Sequence, residues 1–146
     1  MINDFLEENK NNICCIWFYD KNCGACNAIS PYIDELILFH ENNVTFLKTE
    51  LNDENKEFYL NNTDFFQPEV VYVLDENNIV VFDENNEPKT KKVLNDDGTA
   101  KMVQTIIVPN FMLFNNKKLV GNFPGVDLNK VSEILNLMSM VKNEKI

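Results

Sequence analysis

The segment DKNCGACNAISPY, residues 20–32, holds two cysteines, Cys23 and Cys26, with only a glycine and an alanine between them. The run before it, ICCIWFY at residues 13–19, is apolar without alternation and rich in aromatic and β-branched residues. Such a run predicts a strand that is buried on both faces, in a sheet covered by helices. After the cysteines, apolar residues recur at helical spacing, which predicts an amphipathic helix from Cys26 to about residue 41.

The order of strand, cysteine pair and helix has a chemical consequence. Cys23 is expected at the first turn of the helix, where unpaired amide hydrogens and the helix macrodipole favour a negative sulfur. Because the thiolate is the reactive form of cysteine, Cys23 is the expected nucleophile. Cys26 lies one turn further along and is expected to attack a mixed disulfide formed at Cys23, which releases the product. Gly24 and Ala25 leave the approach open to a bulky protein disulfide.

The size and charge of the chain limit its partners. Its 146 residues are most simply one domain, and 45% apolar residues with 11 phenylalanines can build a core without a disulfide or a metal. The net charge is −10, and all 13 basic residues are lysines. Nucleic acids and anionic membranes both favour a cationic surface, so neither is an expected partner.

The first residues and the hydropathy bear on the compartment. MINDFLEENKNN is acidic and polar, whereas a secretory signal is basic and then apolar. No uninterrupted apolar run approaches the roughly 20 residues that a membrane span requires. The sequence therefore predicts a cytoplasmic protein. In the cytosol structural disulfides are rare, and a close cysteine pair is more often catalytic or metal-binding.

Outside the cysteine segment, five runs predict helices and strands. In chain order they are the helix NDFLEENK (3–10), the strand VTFLKTEL (44–51), the helix NDENKEFYLNN (52–62), the strand pair PNFMLFNNKKLVGNF (109–123) and the helix DLNKVSEILNLMSMV (127–141). The expected caps of the last two helices are Asn52 or Asp53, and Asp127. Residues 69–104 hold short β runs separated by the turns DENN and NDDGT, without a recognisable repeat.

Two distant segments together resemble the thioredoxin superfamily. The first is the buried strand, NCGAC, and a helix with a proline, Pro31, five residues after the second cysteine. The second is IIVPNFMLFNNKKLVGNFPG at residues 106–125, which resembles the family's cis-proline loop, its antiparallel hairpin and the glycine before its last helix. The resemblance implies that Pro109 is the cis-proline facing the cysteines, that Val108 offers backbone hydrogen bonds to substrate, and that Gly125 is the glycine. It also implies an α/β, three-layer thioredoxin-like fold with a central mixed β-sheet flanked by helices.

Several positions depart from the family pattern. Tyr19 stands where the family has a tryptophan beside the active site, and we expect it to pack beside the substrate groove. Asn22 replaces an aromatic residue before the first cysteine, and Ala25 replaces a proline before the second. Trp17 stands where thioredoxins bury an acid that helps to deprotonate the second cysteine, while Asp20 lies nearby in the loop. The missing acid is expected to slow resolution, and the missing proline to leave the disulfide more easily reduced.

The distance between the two matching segments indicates an insertion. Pro109 lies 83 residues after Cys26, which is longer than the family's usual separation. Pro68 is the alternative cis-proline by distance, but the run after Pro109 leads directly into the glycine and the final helix. The chain is thus expected to be one thioredoxin-like domain with a β-hairpin region inserted at about residues 69–104. An insertion just before the substrate loop could select partners.

The resemblance implies thiol–disulfide oxidoreduction, with reduction of protein disulfides through Cys23 and Cys26. Electrons are expected from a thioredoxin-reductase-like or glutathione donor. No bound cofactor is expected, because the dithiol itself carries the two electrons. The alternative is a non-catalytic binding module that keeps the fold and uses the insertion to hold a protein partner.

A metal site is the alternative interpretation of the cysteine pair. A zinc site needs four ligands, and Cys14 and Cys15, the other thiols, point to opposite faces of a strand. An iron–sulfur cluster that bridges two chains through the cysteine pair stays open as a lesser alternative. His40 is expected to be a satisfied or exposed helix residue without a functional role. Ser30 and Ser132 have no histidine or aspartate at a recognisable spacing in the sequence, so the sequence does not predict a hydrolase.

Overall fold

The computed structural model describes residues 1–144 as four helices and eight strands. In chain order they are α1 (Ile2–Glu8), β1 (Ile13–Tyr19), α2 (Gly24–His40), β2 (Val44–Glu50), α3 (Lys56–Asn61), β3 (Phe66–Pro68), β4 (Val70–Tyr72), β5 (Thr90–Lys92), β6 (Met102–Gln104), β7 (Asn110–Asn115), β8 (Lys118–Pro124) and α4 (Leu128–Glu144). Within this range, none of the helices combines the length and the apolar character that a membrane span needs.

Four strands form a mixed sheet in the order β2-β1-β7-β8. The central strand β1 runs parallel to β2, with Ile13 opposite Val44, and antiparallel to β7, with Trp17 opposite Phe111. Strands β7 and β8 form an antiparallel hairpin. The strand predicted at residues 13–19 is confirmed, and its burial on both faces follows from its central place in the sheet.

Helices cover both faces of this sheet. On one face, Cys15 and Trp17 of β1 pack into a core cluster with residues of α2 and α4, such as Ile33 and Leu135. On the other face, Phe18 of β1 lies edge-on to Tyr59 of α3, and the buried residues of α1 are Ile2 and Leu6. The resulting three layers are the α/β arrangement predicted from the sequence.

Three helix starts differ from the predicted ones, and α1 begins at Ile2, one residue before the predicted run. Helix α2 begins at Gly24, two residues before the predicted start, and is continuous through Pro31 to His40. Helix α3 begins at Lys56 with Asn55 as its N-cap, so the cap predicted at Asn52 or Asp53 is wrong. The side chain of Asn52 instead accepts hydrogen bonds from the amides of Glu54 and Asn55, which closes a turn ahead of the helix.

The chain forms two compact units, of which the second is Asp64–Ile106. It contains the block predicted as β-rich, residues 69–104. Its strands are three residues long or are single bridges, much shorter than the predicted runs. Strand β3 pairs with β6, and β4 pairs with β5. The two ends of the unit are also paired, since the amide of Thr105 donates to the carbonyl of Phe65 at 2.7 Å.

Three turns in this unit share one geometry, which is a repeat that the sequence analysis missed. Each spans five residues, and the amide of the first donates to the carbonyl of the fifth at 2.8–2.9 Å. In each turn the fourth residue has a positive φ, which favours asparagine or glycine. The turns are residues 75–79, 83–87 and 95–99, and their fourth residues are Asn78, Asn86 and Gly98.

Rings of three backbone hydrogen bonds join the short segments of the second unit. In one ring, the amide of Val73 donates to Lys89, that of Lys89 to Val81, and that of Val81 back to Val73, all at 2.8–2.9 Å. A second ring of the same kind joins Glu69, Lys101 and Val93. The rings satisfy backbone groups that such short strands cannot pair in ordinary ladders.

Candidate functional site

Cys23 is the N-cap of α2, one position before the first turn in which it was predicted. Its backbone is extended, with φ −89° and ψ 116°, and its carbonyl accepts the first helical hydrogen bond, from Asn27. Its sulfur accepts a hydrogen bond from the amide of Cys26 at 3.1 Å. A side chain that accepts an otherwise unpaired helix amide is the normal N-cap arrangement. Here the acceptor is a sulfur, so the amide and the helix end both favour negative charge on it.

Cys26 is placed very differently from its partner. It is buried, whereas Cys23 is half-buried. Burial and, to a lesser extent, a side-chain hydrogen bond with Cys23 raise the pKa of the Cys26 thiol to about 11. Cys26 is therefore a neutral thiol at neutral pH, which fits a second, slower nucleophile and not the first one.

The loop before β7 meets the cysteines. In the antiparallel pair of β1 and β7, Phe18 lies opposite Asn110, so the end of β1 and the start of β7 are adjacent. The Val108–Pro109 peptide bond is cis, while Pro68 lies in β3. The thiol of Cys23 donates to the carbonyl oxygen of Val108 at 3.8 Å, across 85 positions of sequence. This contact completes the geometry of the candidate site.

Solved structures with the same architecture are thioredoxins. Thioredoxin f2 of Chlamydomonas reinhardtii is 19% identical with a TM-score of 0.58, over 92% of this chain and 86% of that chain. Fasciola hepatica thioredoxin is 18% identical with a TM-score of 0.56, over 92% of this chain and 88% of that one. The fold is thioredoxin-like. Oxidised Plasmodium falciparum thioredoxin is 15% identical with a TM-score of 0.54, over 94% of this chain and 91% of that chain.

Comparison of the amino-acid sequence alone identifies no related family or protein. No protein-family model matches it, and neither does any curated protein sequence. The predicted fold class and superfamily resemblance are nevertheless confirmed by structure. In this thioredoxin-like fold the second compact unit enters after Thr63 and ends at Ile106, two positions before Val108.

The other predicted site residues lie around the cysteines of the thioredoxin-like unit. Tyr19 packs against the same core cluster as Cys23 and Val108. Gly24 and Ala25 are exposed at the start of α2, and a Cβ placed on Gly24 would meet no atom within 4 Å. The start of α2 is therefore exposed, with open space beside Gly24.

Trp17 fills the position where thioredoxins bury an acid. Its ring stacks on Tyr19 with centroids 4.8 Å apart, and it is 4% exposed. Its Nε1 is buried and has no hydrogen-bond partner among the described residues. Asp20 acts on Cys26 in two opposed ways, since a hydrogen bond to its backbone lowers the pKa of Cys26 and its charge raises that pKa by less. The Asp20 carboxylate accepts the amide of Asn22 at 2.9 Å and so shapes the loop before the cysteines.

Three residues near the site were missed by the sequence analysis. The hydroxyl of Tyr59 is hydrogen-bonded to both backbone groups of Ile107. Asn110 is fully buried and donates to Asn122 at 2.9 Å. The only available signal was Asn110, a polar residue inside the apolar run IIVPNFMLF. Tyr59 and Asn122 carried none, because their partners are distant in sequence.

His40 and Ser132 are hydrogen-bond partners, although no recognisable spacing in the sequence connects them. The Nε2 atom of His40 lies 2.8 Å from the hydroxyl of Ser132, which joins α2 to α4. Burial lowers the pKa of His40, so the ring is neutral at neutral pH. The pair lies at the opposite end of α2 from the cysteines, about 25 Å away for a helix of this length. It is separate from the candidate redox site.

The described residues include no group of three or more histidine, cysteine or acidic side chains arranged to hold a metal ion. Cys14 and Cys15 are buried in β1, and the thiol of Cys14 donates to the carbonyl of Asn9 at 3.7 Å. Burial raises the pKa of Cys15 strongly. These two thiols are core residues of the strand.

Proposed function

We propose that this protein is a thiol–disulfide oxidoreductase that reduces protein disulfides through Cys23 and Cys26. The observation that supports this best is the sulfur of Cys23 at the N-cap of α2, where it accepts the amide of Cys26 at 3.1 Å. The solved structures of similar fold include thioredoxins. Another structure of similar fold, 17% identical, comes from a study of thiol resolution in yeast mitochondrial 1-Cys peroxiredoxin by the glutathione and thioredoxin systems.

The first step is attack by the Cys23 thiolate on a substrate disulfide. A bond forms between Cys23 Sγ and one substrate sulfur, the substrate disulfide breaks, and the other substrate sulfur leaves as a thiolate that takes up a proton. The carbonyl of Val108, beside Pro109, is free to accept an amide of the bound substrate once Cys23 has lost its proton. Tyr19, Gly24 and Ala25 form the rest of the proposed contact surface.

The second step is attack by Cys26 on Cys23. Cys26 gives up its proton, its sulfur bonds to Cys23 Sγ, and the remaining substrate sulfur leaves as a thiol after protonation. The substrate has then gained two electrons and two protons, and the protein holds a Cys23–Cys26 disulfide. Because Cys26 is buried and Trp17 supplies no base, we expect this step to limit the rate.

The oxidised pair must be reduced again by an external donor. The dithiol carries both electrons itself, so the cycle needs no bound cofactor, and a thioredoxin-reductase-like or glutathione system is the proposed source. We place this cycle in the cytoplasm, whose glutathione pool keeps such pairs reduced. The net charge of −10 disfavours nucleic acid and anionic membranes as partners.

A trapping experiment tests the proposal. The Cys26→Ser variant, mixed with a disulfide-bonded model peptide, should accumulate a mixed disulfide at Cys23 that mass spectrometry detects. The matched Cys23→Ser variant retains a buried thiol and should accumulate none. Absence of an adduct with Cys26→Ser, or equal adducts with both variants, would show that the pair does not work in this order.

A second candidate function, that of a binding module, is favoured by the exposed apolar side chains of the second unit. These are Phe66, Val70, Val71, Tyr72, Leu74, Ile79, Phe82, Leu94 and Met102, each at least 41% exposed. Exposed apolar side chains in such number are typical of a surface that contacts a partner. We propose one thioredoxin-like domain with an insertion at about residues 69–104, and in this second candidate function the insertion holds a protein partner without catalysis at the cysteines.

The pairing of Phe65 with Thr105 gives a clean way to remove the insertion. Residues 66–104 can be replaced by an Asn-Gly turn, because the two flanking backbones already lie 2.7 Å apart between amide and carbonyl. If the insertion selects partners, this deletion should lower turnover of a natural protein substrate but not of a short disulfide peptide. Equal turnover of both substrates by the two proteins would reject the selecting role.

A further inference from the structure

We propose that Tyr59 is a positioning residue, whose hydroxyl fixes the loop that carries Val108 against Cys23. The expected effect of Tyr59 on substrate turnover rests on the proposed oxidoreductase function. It goes further by assigning a residue that neither the cysteine motif nor the cis-proline segment contains.

One hydroxyl satisfies both backbone groups of one residue. The Tyr59 hydroxyl donates to the carbonyl of Ile107 at 2.5 Å and accepts the amide of Ile107 at 3.1 Å. The Tyr59 side chain is fully buried, and its ring meets Phe18 edge-on with centroids 5.1 Å apart. Because Phe18 belongs to the central strand, the hydroxyl is held at a fixed point relative to the sheet.

Ile107 needs such a partner because no strand holds it. It lies outside both β6 and β7, so it has no ladder partner. It is also the first residue of the thioredoxin-like unit after the second unit, Asp64–Ile106, has ended. Without the hydroxyl, the two backbone groups of Ile107 would lose the protein partner that fixes their position.

A second anchor holds the other end of the loop. Asn110, the first residue of β7, is fully buried and donates to the side chain of Asn122 at 2.9 Å. The amide group of Asn122 in turn donates to the carbonyl of Asn62 at 2.7 Å. Val108 and Pro109 thus lie between two fixed residues, Ile107 and Asn110.

The consequence for the site is a fixed acceptor. The carbonyl of Val108 lies 3.8 Å from Cys23 Sγ, and it follows directly after the residue that Tyr59 holds. A free loop would have to be ordered by each incoming substrate, which weakens binding. Burial also raises the pKa of Tyr59, so the hydroxyl stays a donor across the pH range in which thiols react.

The test is Tyr59→Phe, which removes only the hydroxyl, with Tyr32→Phe as the matched control on an exposed tyrosine of α2. On a disulfide-bonded model peptide, Tyr59→Phe should raise KM about tenfold, the loss expected for one well-made hydrogen bond. Alkylation of Cys23 by iodoacetamide should stay within about twofold, because the small reagent does not use the loop. The control should match the parent protein in both measurements.

Hydrogen exchange provides a readout that does not depend on activity. In Tyr59→Phe, protection of the Ile107 amide should fall at least about tenfold, while the amides of β1 stay protected. An unchanged Ile107 amide, or an unchanged KM in a variant whose exchange has changed, would overturn the inference. If the parent protein itself turns over no disulfide, the proposed function fails, and the exchange result alone decides whether Tyr59 fixes the loop.

If Tyr59→Phe does not fold, Asn122→Ala acts on the other anchor. It removes the partners of Asn110 and of the Asn62 carbonyl and leaves the tyrosine in place. A rise in KM with unchanged Cys23 alkylation would again support a positioned loop. A KM equal to that of the parent protein would overturn it.

Discussion

The amide of Cys26 donates a hydrogen bond to the sulfur of Cys23, while the thiol of Cys26 is itself buried and protonated. The amide lies 3.1 Å from Cys23 Sγ, and burial raises the pKa of the Cys26 thiol to about 11. The two thiols therefore differ in their surroundings, and burial disfavours ionisation of Cys26. This asymmetry supports the proposed order of attack, in which Cys23 acts first.

The first prediction concerns the pH dependence of Cys26 alkylation. In Cys23→Ser, the rate should keep rising with pH beyond the ordinary value of 9.0, because burial, the largest cause of the raised pKa, remains. At about pH 8, a pKa near 11 leaves about a hundredfold less thiolate than a pKa of 9. Site-resolved mass spectrometry of iodoacetamide labelling measures this rate. The same variant in urea should inflect near 9, and an identical inflection in the folded protein would contradict the prediction.

The second prediction is a loss of stability in mild acid. Burial lowers the pKa of His40 below its ordinary 6.5, so the unfolded chain binds a proton more readily than the folded one. The free energy of unfolding should therefore fall as pH drops below about 6.5 and level off below the folded pKa. Urea titrations across this range measure it. Because His40 is the only histidine, His40→Gln should abolish the step, and a step that survives in that variant would assign it elsewhere.

The third prediction concerns the acid that the family places at position 17. Trp17→Asp would leave a cavity and an unpaired carboxyl in the core, so it should lower the free energy of unfolding by about 3–5 kcal/mol. Trp17→Phe keeps an aromatic ring and loses an Nε1 that has no described partner, so it should cost less than half of that. Urea unfolding followed by circular dichroism compares the two. Equal stabilities would mean that this part of the core can hydrate an acid.

The fourth prediction tests the repeated turns of the second unit. Asn78 has a φ of 62°, so Asn78→Ala should cost about 1 kcal/mol, whereas Asn78→Gly should cost little. Asn77→Ala, one position earlier, is the control without a positive φ. Hydrogen exchange at the amides of Val73 and Val81 reports the local stability. Protection that falls equally in Asn77→Ala and Asn78→Ala would contradict the role of backbone conformation.

The sheet and the cysteine helix could be predicted because their signals are local. β1 is a continuous apolar run, and α2 has a clear helical period after a cysteine pair. The start of α3 was misplaced because NDEN offers several capping side chains in four residues. The side chain of Asn52 accepts hydrogen bonds within the preceding turn, and the helix begins only at Lys56.

The contacts that complete the site could not be predicted in the same way. Tyr59 and Ile107 are 48 positions apart, and His40 and Ser132 are 92 apart, so no periodicity connects them. The Tyr59 hydroxyl reaches the backbone of Ile107 because the fold brings α3 to the loop before β7. The side chains of His40 and Ser132 meet because α2 lies beside α4. The repeat of the second unit was hidden for another reason. Its turns share a backbone geometry, and only two of the three share the letters DENN.

The rings of the second unit also affect how the protein meets other molecules. At Val73, Val81 and Lys89, every amide donates and every carbonyl accepts within the ring, so this level of the unit has no open sheet edge. An open edge beside exposed apolar side chains is a template for aggregation. The ring of three segments pairs its backbone groups internally, as a closed barrel does with many strands. Apolar side chains can therefore be exposed on this unit while no unpaired backbone edge is available for the addition of another strand.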